Sequence, residues 1–438
     1  MISLSKLLDR PISLDGRKFD VSLLWMVILM TAFSLVMIYS ASIAYAASEG
    51  GNQFSFVSKQ AMFVGASVLG CLGLSLLSMS FWRKIIPFYF AFSAILLEVV
   101  LFVGREINGA TRWIHIGPLN LQPTELFKLA TVLYLSSLFT RREEVLRSMD
   151  SLGLKPLFVG LFNAFMCPFS KEARQKTWQK LKKFKNILLP IVMIALGLVF
   201  VMAQPDFGSF VVIVSITMGM LFLAGFPWKY FAVLVLSVLG GMGVMILAAP
   251  YRMARVSAFL DPWGDPLGKG YQLTHSLMAI ARGEWFGQGL GASLEKRFYL
   301  PEAHTDFAFA IFSQETGFLG VILVLVLYSA FTVYGARIAN AAADAYGQFL
   351  ATGILLLISG QAVINLLMVG GLLPVIGVPL PFISYGGTSL MISMASVGIL
   401  LNIGQHGTGA SNRSKLREAL ERDVAKKKAE HHLRLVKK

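Results

Sequence analysis

Residues able to do chemistry concentrate in one stretch, residues 250 to 306, which holds six basic and six acidic side chains together with His275 and His304. Its first part, Tyr251 to Tyr271, carries two Asp-Pro pairs beginning at Asp261 and Asp265, with Gly264, Gly268 and Gly270 between and after them. Proline and glycine at these positions force tight turns and bring both carboxylates near each other and near Lys269. On spacing alone the pattern reads first as a structural turn. The second part, Arg282-Gly-Glu-Trp-Phe-Gly-Gln-Gly-Leu-Gly291, is glycine-rich, and such loops let backbone amides approach a phosphate. No strand precedes it and no Gly-Lys-Ser follows, so it fits no nucleotide fingerprint.

Four further ionisable residues lie inside apolar runs, Glu98, Glu125, Lys128 and Glu315, where each costs roughly 2.5 to 3.5 kcal/mol to insert into a bilayer and so marks a functional suspect. Glu125 and Lys128 are three apart, on one helical face, and able to form either a structural ion pair or a ligand contact. Glu98 has no local partner and reads as a protonated or interhelical group. Cys71 and Cys167 are both in apolar surroundings, about a hundred residues apart, and supply neither a disulfide framework nor a zinc site.

The elements that position these residues are set by composition. Of 438 residues, 55% are hydrophobic and 14% charged, which excludes an ordinary soluble enzyme. Apolar runs fall at residues 21–45, 56–79, 85–104, 120–139, 186–203, 208–226, 228–249, 307–334, 347–370 and 383–404, each near the length that crosses about 30 Å of hydrocarbon. The expected fold is therefore all-α and polytopic, with about ten transmembrane helices and a large extracytoplasmic loop, 250–306, between spans 7 and 8. Residues 1–20 form a cytoplasmic N-terminus, 21–405 the membrane domain and 406–438 a basic cytoplasmic tail. Ala44-Tyr45-Ala46 mimics a cleavage site, but the apolar stretch before it is too long for a cleaved signal. The shorter run 156–169 reads as a surface helix or loop.

Twenty-nine of the 39 Lys and Arg residues fall in alternate connections on one side, which places both termini in the cytoplasm. Eight lie opposite, Arg105, Arg112, Arg252, Arg255, Lys269, Arg282, Lys296 and Arg297. The net charge of +15 is thus a topology signal, and the tail is expected to meet anionic lipid rather than nucleic acid.

The stretches Asn108-Gly-Ala-Thr-Arg-Trp-Ile114, Gln122-Pro-Thr-Glu-Leu-Phe-Lys128, Gln204-Pro-Asp-Phe-Gly208, Asp265-Pro-Leu-Gly-Lys-Gly-Tyr271, Leu300 to Asp306 and Pro381-Phe-Ile-Ser-Tyr-Gly-Gly387 occur in this order on ten apolar runs. Together they resemble the SEDS family of shape, elongation, division and sporulation proteins, over residues 20 to 405. The loop residues Tyr271 to Ser276 and Arg282 to Gly291 are most similar to its division-type members. The resemblance implies a peptidoglycan glycosyltransferase that polymerises lipid II on the outer face of the bacterial cytoplasmic membrane, at the division septum, with a class B penicillin-binding transpeptidase and other division proteins as partners.

In such a reaction a sugar leaves from pyrophosphate, a good leaving group, so one carboxylate acting as base suffices. The resemblance assigns that role to Asp265, with Asp261 in reserve. It implies substrate contacts from Arg252, Lys269, Arg112, Glu125, Lys128, Arg282 and His304, with the cations offsetting pyrophosphate charge, with or without a divalent cation such as Mg or Mn. No metal ligand is assigned. Two departures from the family pattern stand out: Val375-Ile376 follow Leu373-Pro374 where many division members have Thr-Lys, and Gln314-Glu315 replaces a frequent Glu-Glu pair. The rival readings are a lipid II flippase or other transporter, an elongation-type polymerase, and a catalytically silent scaffold. A transporter calls for polar groups at midplane, whereas here they gather in one outward loop.

Overall fold

The computed structural model describes residues 13–14, 17–18, 21–48, 54–107, 110–117, 119–148, 191–296 and 300–407. Among these residues twelve helices form: α1 Val21–Ser48, α2 Ser55–Ser75, α3 Met79–Val103, α4 Pro123–Ser148, α5 Ile191–Ala203, α6 Phe207–Leu223, α7 Trp228–Leu247, α8 Pro250–Leu260, α9 Tyr271–Gly283, α10 Ala308–Ala341, α11 Ala345–Val369 and α12 Gly387–His406. Each of the ten apolar runs has a helix, and the two extra ones, α8 and α9, lie in the 250–306 loop. Seven, α1, α2, α3, α7, α10, α11 and α12, are long and apolar enough to cross a membrane by length and composition. Helices α5 and α6 are shorter, and α4 carries Glu125 and Lys128 in its apolar body. The run 156–169, Arg297 and the basic tail lie outside the described residues.

The helices pack through glycine and small side chains, which let membrane helices approach where no hydrophobic force drives them together. A Cβ on Gly398 of α12 would lie 2.5 Å from the Cys71 carbonyl of α2, and one on Gly353 of α11 would meet Val132 of α4 and Met220 of α6. Helix α11 sits at the centre, packed on α4, α6, α10 and α12. Large apolar residues such as Phe88, Phe102, Leu236 and Leu247 are exposed because hydrocarbon is their solvent. Helix α7 stands apart from the bundle, with Tyr230 its one buried residue.

The all-α expectation needs one addition. Strands β3 Arg105–Ile107, β4 Ala110–Ile116 and β5 Leu119–Leu121 form an antiparallel sheet between α3 and α4, after the short pair β1 Ser13–Leu14 and β2 Arg17–Lys18. An Asn-Gly pair in the sequence between β3 and β4 and the alternation along β4 favour a hairpin. Thr388 at the start of α12 ties the sheet down, donating to the Asn120 carbonyl at 2.6 Å and accepting from the Gln122 amide at 3.3 Å.

Candidate active site

The floor of the site is a knot of buried polar groups at the start of α6. Asp206 caps that helix by accepting from the Ser209 amide at 3.1 Å, which satisfies a free donor of the first turn. Its other carboxylate oxygen accepts from Gln122 Nε2 and Thr124 Oγ1, each at 3.2 Å. Arg112, projecting from β4, donates through Nε to the Gln204 carbonyl at 3.3 Å and through Nη2 to the Pro205 carbonyl. Deeper in α4, Lys128 Nζ lies 2.7 Å from Glu125 Oε1 and 3.1 Å from Gln361 Oε1, with both ion-pair partners almost fully buried. The amide of Gln361 donates to the Pro379 carbonyl at 2.9 Å, and Asn365 Nδ2 donates to the carbonyls of Asp306 at 2.8 Å and Val378 at 2.6 Å. These bonds fix the 375–380 segment against α11.

Next to this floor an apolar groove of about 150 Å³ runs between α6, α7, α8 and residues 373–376, lined by Phe207, Val211, Met242, Ile246 and Leu373 among others. Two cations from one face of α8 join its lining. Arg252 Nη1 donates to the Met245 carbonyl at 3.0 Å and its guanidinium lies 5.6 Å from the centre of the Phe207 ring. Arg255 Nη1 donates to the Val375 carbonyl at 3.1 Å. Burial lowers the Arg255 pKa and Arg112 lowers it further, while Asp306 opposes both. Burial and Glu302 push the Asp306 carboxyl up to about 7 against the pull of Arg255 and Arg112, with Asp206 adding to the rise. Ile376 lines the groove without charge, so the positive charge in its lining comes from α8.

Helix α8 ends at Asp261, whose amide donates to the Ser257 carbonyl, and leads directly into the turn that the two Asp-Pro pairs predict. Asp261 Oδ1 accepts from the Gly264 amide at 3.0 Å, and Asp265 Oδ2 accepts from the Lys269 amide at 3.0 Å. Asp265 and Lys269 are both exposed. They meet through the Lys269 backbone, so its ammonium is not the donor in that bond. Arg282, at the end of α9, is paired with Glu295, which also takes His275 Nδ1 at 2.7 Å; Arg282 does not line the groove. His304 lies 5.4 Å from the Phe56 ring centre and 5.8 Å from that of Tyr385, where burial lowers its pKa against the opposing effect of Glu302. Glu98, expected as a protonated or interhelical group, is exposed on α3.

The structure thus sets Arg252 and Arg255 in the groove lining with Arg112 as an electrostatic neighbour of Arg255, buries Glu125 and Lys128 in α4, and places Asp265 and Lys269 on an exposed turn at the end of α8. Asp206 and Asp306 were missed as functional groups. Both stand in motifs of the family resemblance, Gln204 to Gly208 and Leu300 to Asp306, within two residues of a helix start, and that position was the available signal. A second buried array was also missed: Lys296 Nζ lies 2.9 Å from Glu315 Oε1 and 3.0 Å from Ser40 Oγ, which itself donates to Glu315 at 2.6 Å. Here α10 is broken at Gly317, with φ 68° and ψ −164°, a conformation costly for any residue with a side chain. The loop after α9 repairs the break: the amides of Gln288 and Gly289 donate to the Gln314 and Glu315 carbonyls at 3.0 Å, and those of Phe318 and Leu319 donate to the Glu284 and Trp285 carbonyls.

Comparison with known proteins agrees with this architecture. Residues 21–409 match the family model described as cell cycle protein, which covers FtsW, RodA and SpoVE. A probable peptidoglycan glycosyltransferase FtsW from Neisseria gonorrhoeae is 56% identical over 415 residues, covering 94% of this chain and 89% of that one. A protein of the same description from Thiomicrospira cyclica is 37% identical, covering 89% and 92%. Among solved structures, one described as structural coordination of polymerization and crosslinking by a peptidoglycan synthase complex matches with a TM-score of 0.66 at 27% identity, covering 89% of this chain and 98% of that one. The rod shape determining protein RodA of Thermus thermophilus matches with a TM-score of 0.60 at 24% identity, over 89% of this chain and 98% of its own, a likeness of fold. With a family model spanning nearly the whole helical region and relatives this similar over their full length, the chain belongs to the FtsW/RodA/SpoVE family of cell cycle proteins, the SEDS family.

Proposed function

We propose that this protein is a peptidoglycan glycosyltransferase that polymerises lipid II into glycan strands at the outer face of the bacterial cytoplasmic membrane during cell division. The observation that carries the reading is the groove. It has an apolar lining of the chemistry that takes a polyprenyl chain, two arginines in that lining that could meet a pyrophosphate, and α8 leading from those arginines to the Asp265 turn.

In this reading the acceptor hydroxyl attacks the anomeric carbon of the donor sugar, and Asp265 takes the hydroxyl proton as the new glycosidic bond forms. The bond from the anomeric carbon to the pyrophosphate oxygen breaks, and the electron pair leaves with the pyrophosphate. Arg252, Arg255 and Arg112 offset the charge that develops there, and Lys269 does so from the Asp265 turn. The exposure of Asp265 suits a base that must admit a sugar chain. Glu125 and Lys128, tied to Gln361, hold the floor on which the 375–380 segment rests. A divalent cation such as Mg or Mn would add to the arginines in offsetting the pyrophosphate charge; among the described residues no group of three or more His, Cys, Asp or Glu side chains converges to hold one.

A class B penicillin-binding transpeptidase is the proposed partner, supported by the synthase complex among the similar solved structures. The similar FtsW proteins support division over elongation. The positive-inside pattern supports cytoplasmic termini and an outward 250–306 loop. The test is polymerisation of labelled lipid II by the purified protein with its transpeptidase partner. Strands from wild type and none from Asp265→Asn are expected. Labelled lipid II that crosses liposomes without being polymerised would replace the enzyme reading with a transporter.

A further inference from the structure

Behind the groove wall, the 375–377 strip separates its lumen from a carboxylate that the mechanism above does not use. Arg255 is pinned to the Val375 carbonyl on this strip. The Asp306 carboxylate presses on it two residues further on, where a Cβ on Gly377 would lie 3.2 Å from Oδ2. Asn365 of α11 holds the Asp306 backbone carbonyl at 2.8 Å, so the residue cannot slide along the strip. Arg112 is held on the Gln204 and Pro205 carbonyls from the other side.

The charges acting on Asp306 come from every element around it: Arg112 from β4, Arg255 from α8, Asp206 from the cap of α6 and Glu302 from its own segment. Two guanidinium groups bonded to backbone carbonyls therefore act through space on a buried carboxylate beside the strip. An anion entering the groove at Arg255 adds negative charge to the space that Asp306 already neutralises.

We propose that Asp306, where ionised, is the resident counter-ion of the Arg112 and Arg255 pair and that an arriving polyprenyl pyrophosphate takes over that role, so that the ionised Asp306 takes up a proton from water as the ligand binds. When the pyrophosphate departs, Asp306 returns the proton to water and neutralises the arginines again. Asp306 thus offsets part of the arginine charge when the site is empty and is neutral when it is full, and product release is favoured by a counter-ion that competes for the same charges. Asp306 is a positioning residue in this scheme, since it acts through the arginines. The inference rests on the groove being the site of a lipid pyrophosphate.

The test uses the full-length protein in phosphatidylcholine nanodiscs with farnesyl pyrophosphate as the probe. Infrared difference spectra of wild type at pH 8 should show a carboxylic-acid carbonyl band appearing as the probe binds, and Asp306→Asn should lack it. Calorimetry at pH 7 in buffers of different ionisation enthalpy should give a proton uptake larger in wild type than in Asp306→Asn by about half a proton. The variant's affinity should exceed that of wild type increasingly above pH 7, by up to about tenfold per unit. Binding with no new band in wild type overturns the proposal whether or not the variant folds, and equal proton uptake in the two proteins overturns it independently. Failure of the probe to bind wild type at all removes the groove reading, and the counter-ion exchange with it.

Discussion

Replacing Lys296 by Met tests whether the buried array at the α10 break holds the outer loop in place. The Lys296 and Glu315 side chains are 3% and 0% exposed, and the ammonium is 2.9 Å from the carboxylate. Removing one partner of such a pair leaves the other charge buried, at a cost of about 3 to 5 kcal/mol. Ser40, which donates to both Glu315 oxygens, retains part of the stabilisation, so the lower end, about 3 kcal/mol, is expected. At 1.36 kcal/mol per factor of ten, this corresponds to about a hundredfold shift in the opening equilibrium of the loop docked there. Hydrogen exchange measures it directly, because the Gln288 and Gly289 amides are protected by the Gln314 and Glu315 carbonyls. Their exchange should accelerate about a hundredfold in Lys296→Met. The Lys296→Met/Glu315→Gln double variant, with no charge left to strand, should recover more than half of the loss in logarithmic terms. Acceleration below about threefold in the single variant, or a double variant that exchanges faster than the single, would refute the view that this pair clamps the loop.

Asp265→Asn should lower polymerisation by about 10² to 10⁴ with insertion and partner binding intact, whereas Asp261→Asn, which loses a turn bond to Gly264, should do much less. Near-normal strands from the Asp265 variant would remove it from the mechanism. Lys269→Met should also be severe, and partial restoration by added Mg or Mn would identify charge compensation as its role. The raised Asp306 pKa makes a stability contribution that is fully present below the usual carboxylate range and is lost as pH rises through about 7. Asp306→Asn should therefore melt above wild type at pH 8, by roughly 2 to 4 kcal/mol in stability, with the gap closing toward pH 4; an unchanged gap would separate Asp306 from the charge network. In spheroplasts of a strain lacking Cys71 and Cys167, a cysteine at Glu284 should react with an impermeant maleimide and one at Lys229 only after lysis; the opposite pattern would invert the topology. Depletion of the protein should leave filaments of undivided cells, and round cells would favour an elongation role.

Helix positions were legible because burial in a bilayer demands long apolar runs, and each run has its helix. The ends moved where local chemistry intervened. The run from 85 becomes a helix from Met79 because Ser78 accepts from the Phe81 amide and starts it early, with Pro87 absorbed inside. The sheet at 105–121 was not legible, since its short strands are only seven and three residues long and their alternation sits in what reads as a connection. The Asp-Pro turn was legible, because proline and an aspartate side chain act within four residues. The grouping of Arg112, Arg255 and Asp306 was not. It depends on bonds from 112 to 204, 255 to 375 and 306 to 365, separations at which spacing carries no information. Arg282 is a complementary case: its charge and side of the membrane suit substrate, and spacing did not single out Glu295, thirteen residues on, as its partner.

The repaired break in α10 constrains how this part of the chain can vary. The residues from Glu284 to Gly289 lie on the surface, and Trp285 and Phe286 are 65% and 80% exposed, so their side chains are free to change with the environment they face. Their backbone is not. Two of these residues donate to carbonyls that the kink leaves without helical partners, and two accept from amides just beyond it. One inserted or deleted residue would move all four bonds out of step and leave buried peptide groups unpaired at the membrane boundary. A loop that tolerates substitution and forbids any change of length is the covalent signature of a helix that borrows its missing hydrogen bonds from elsewhere in the chain.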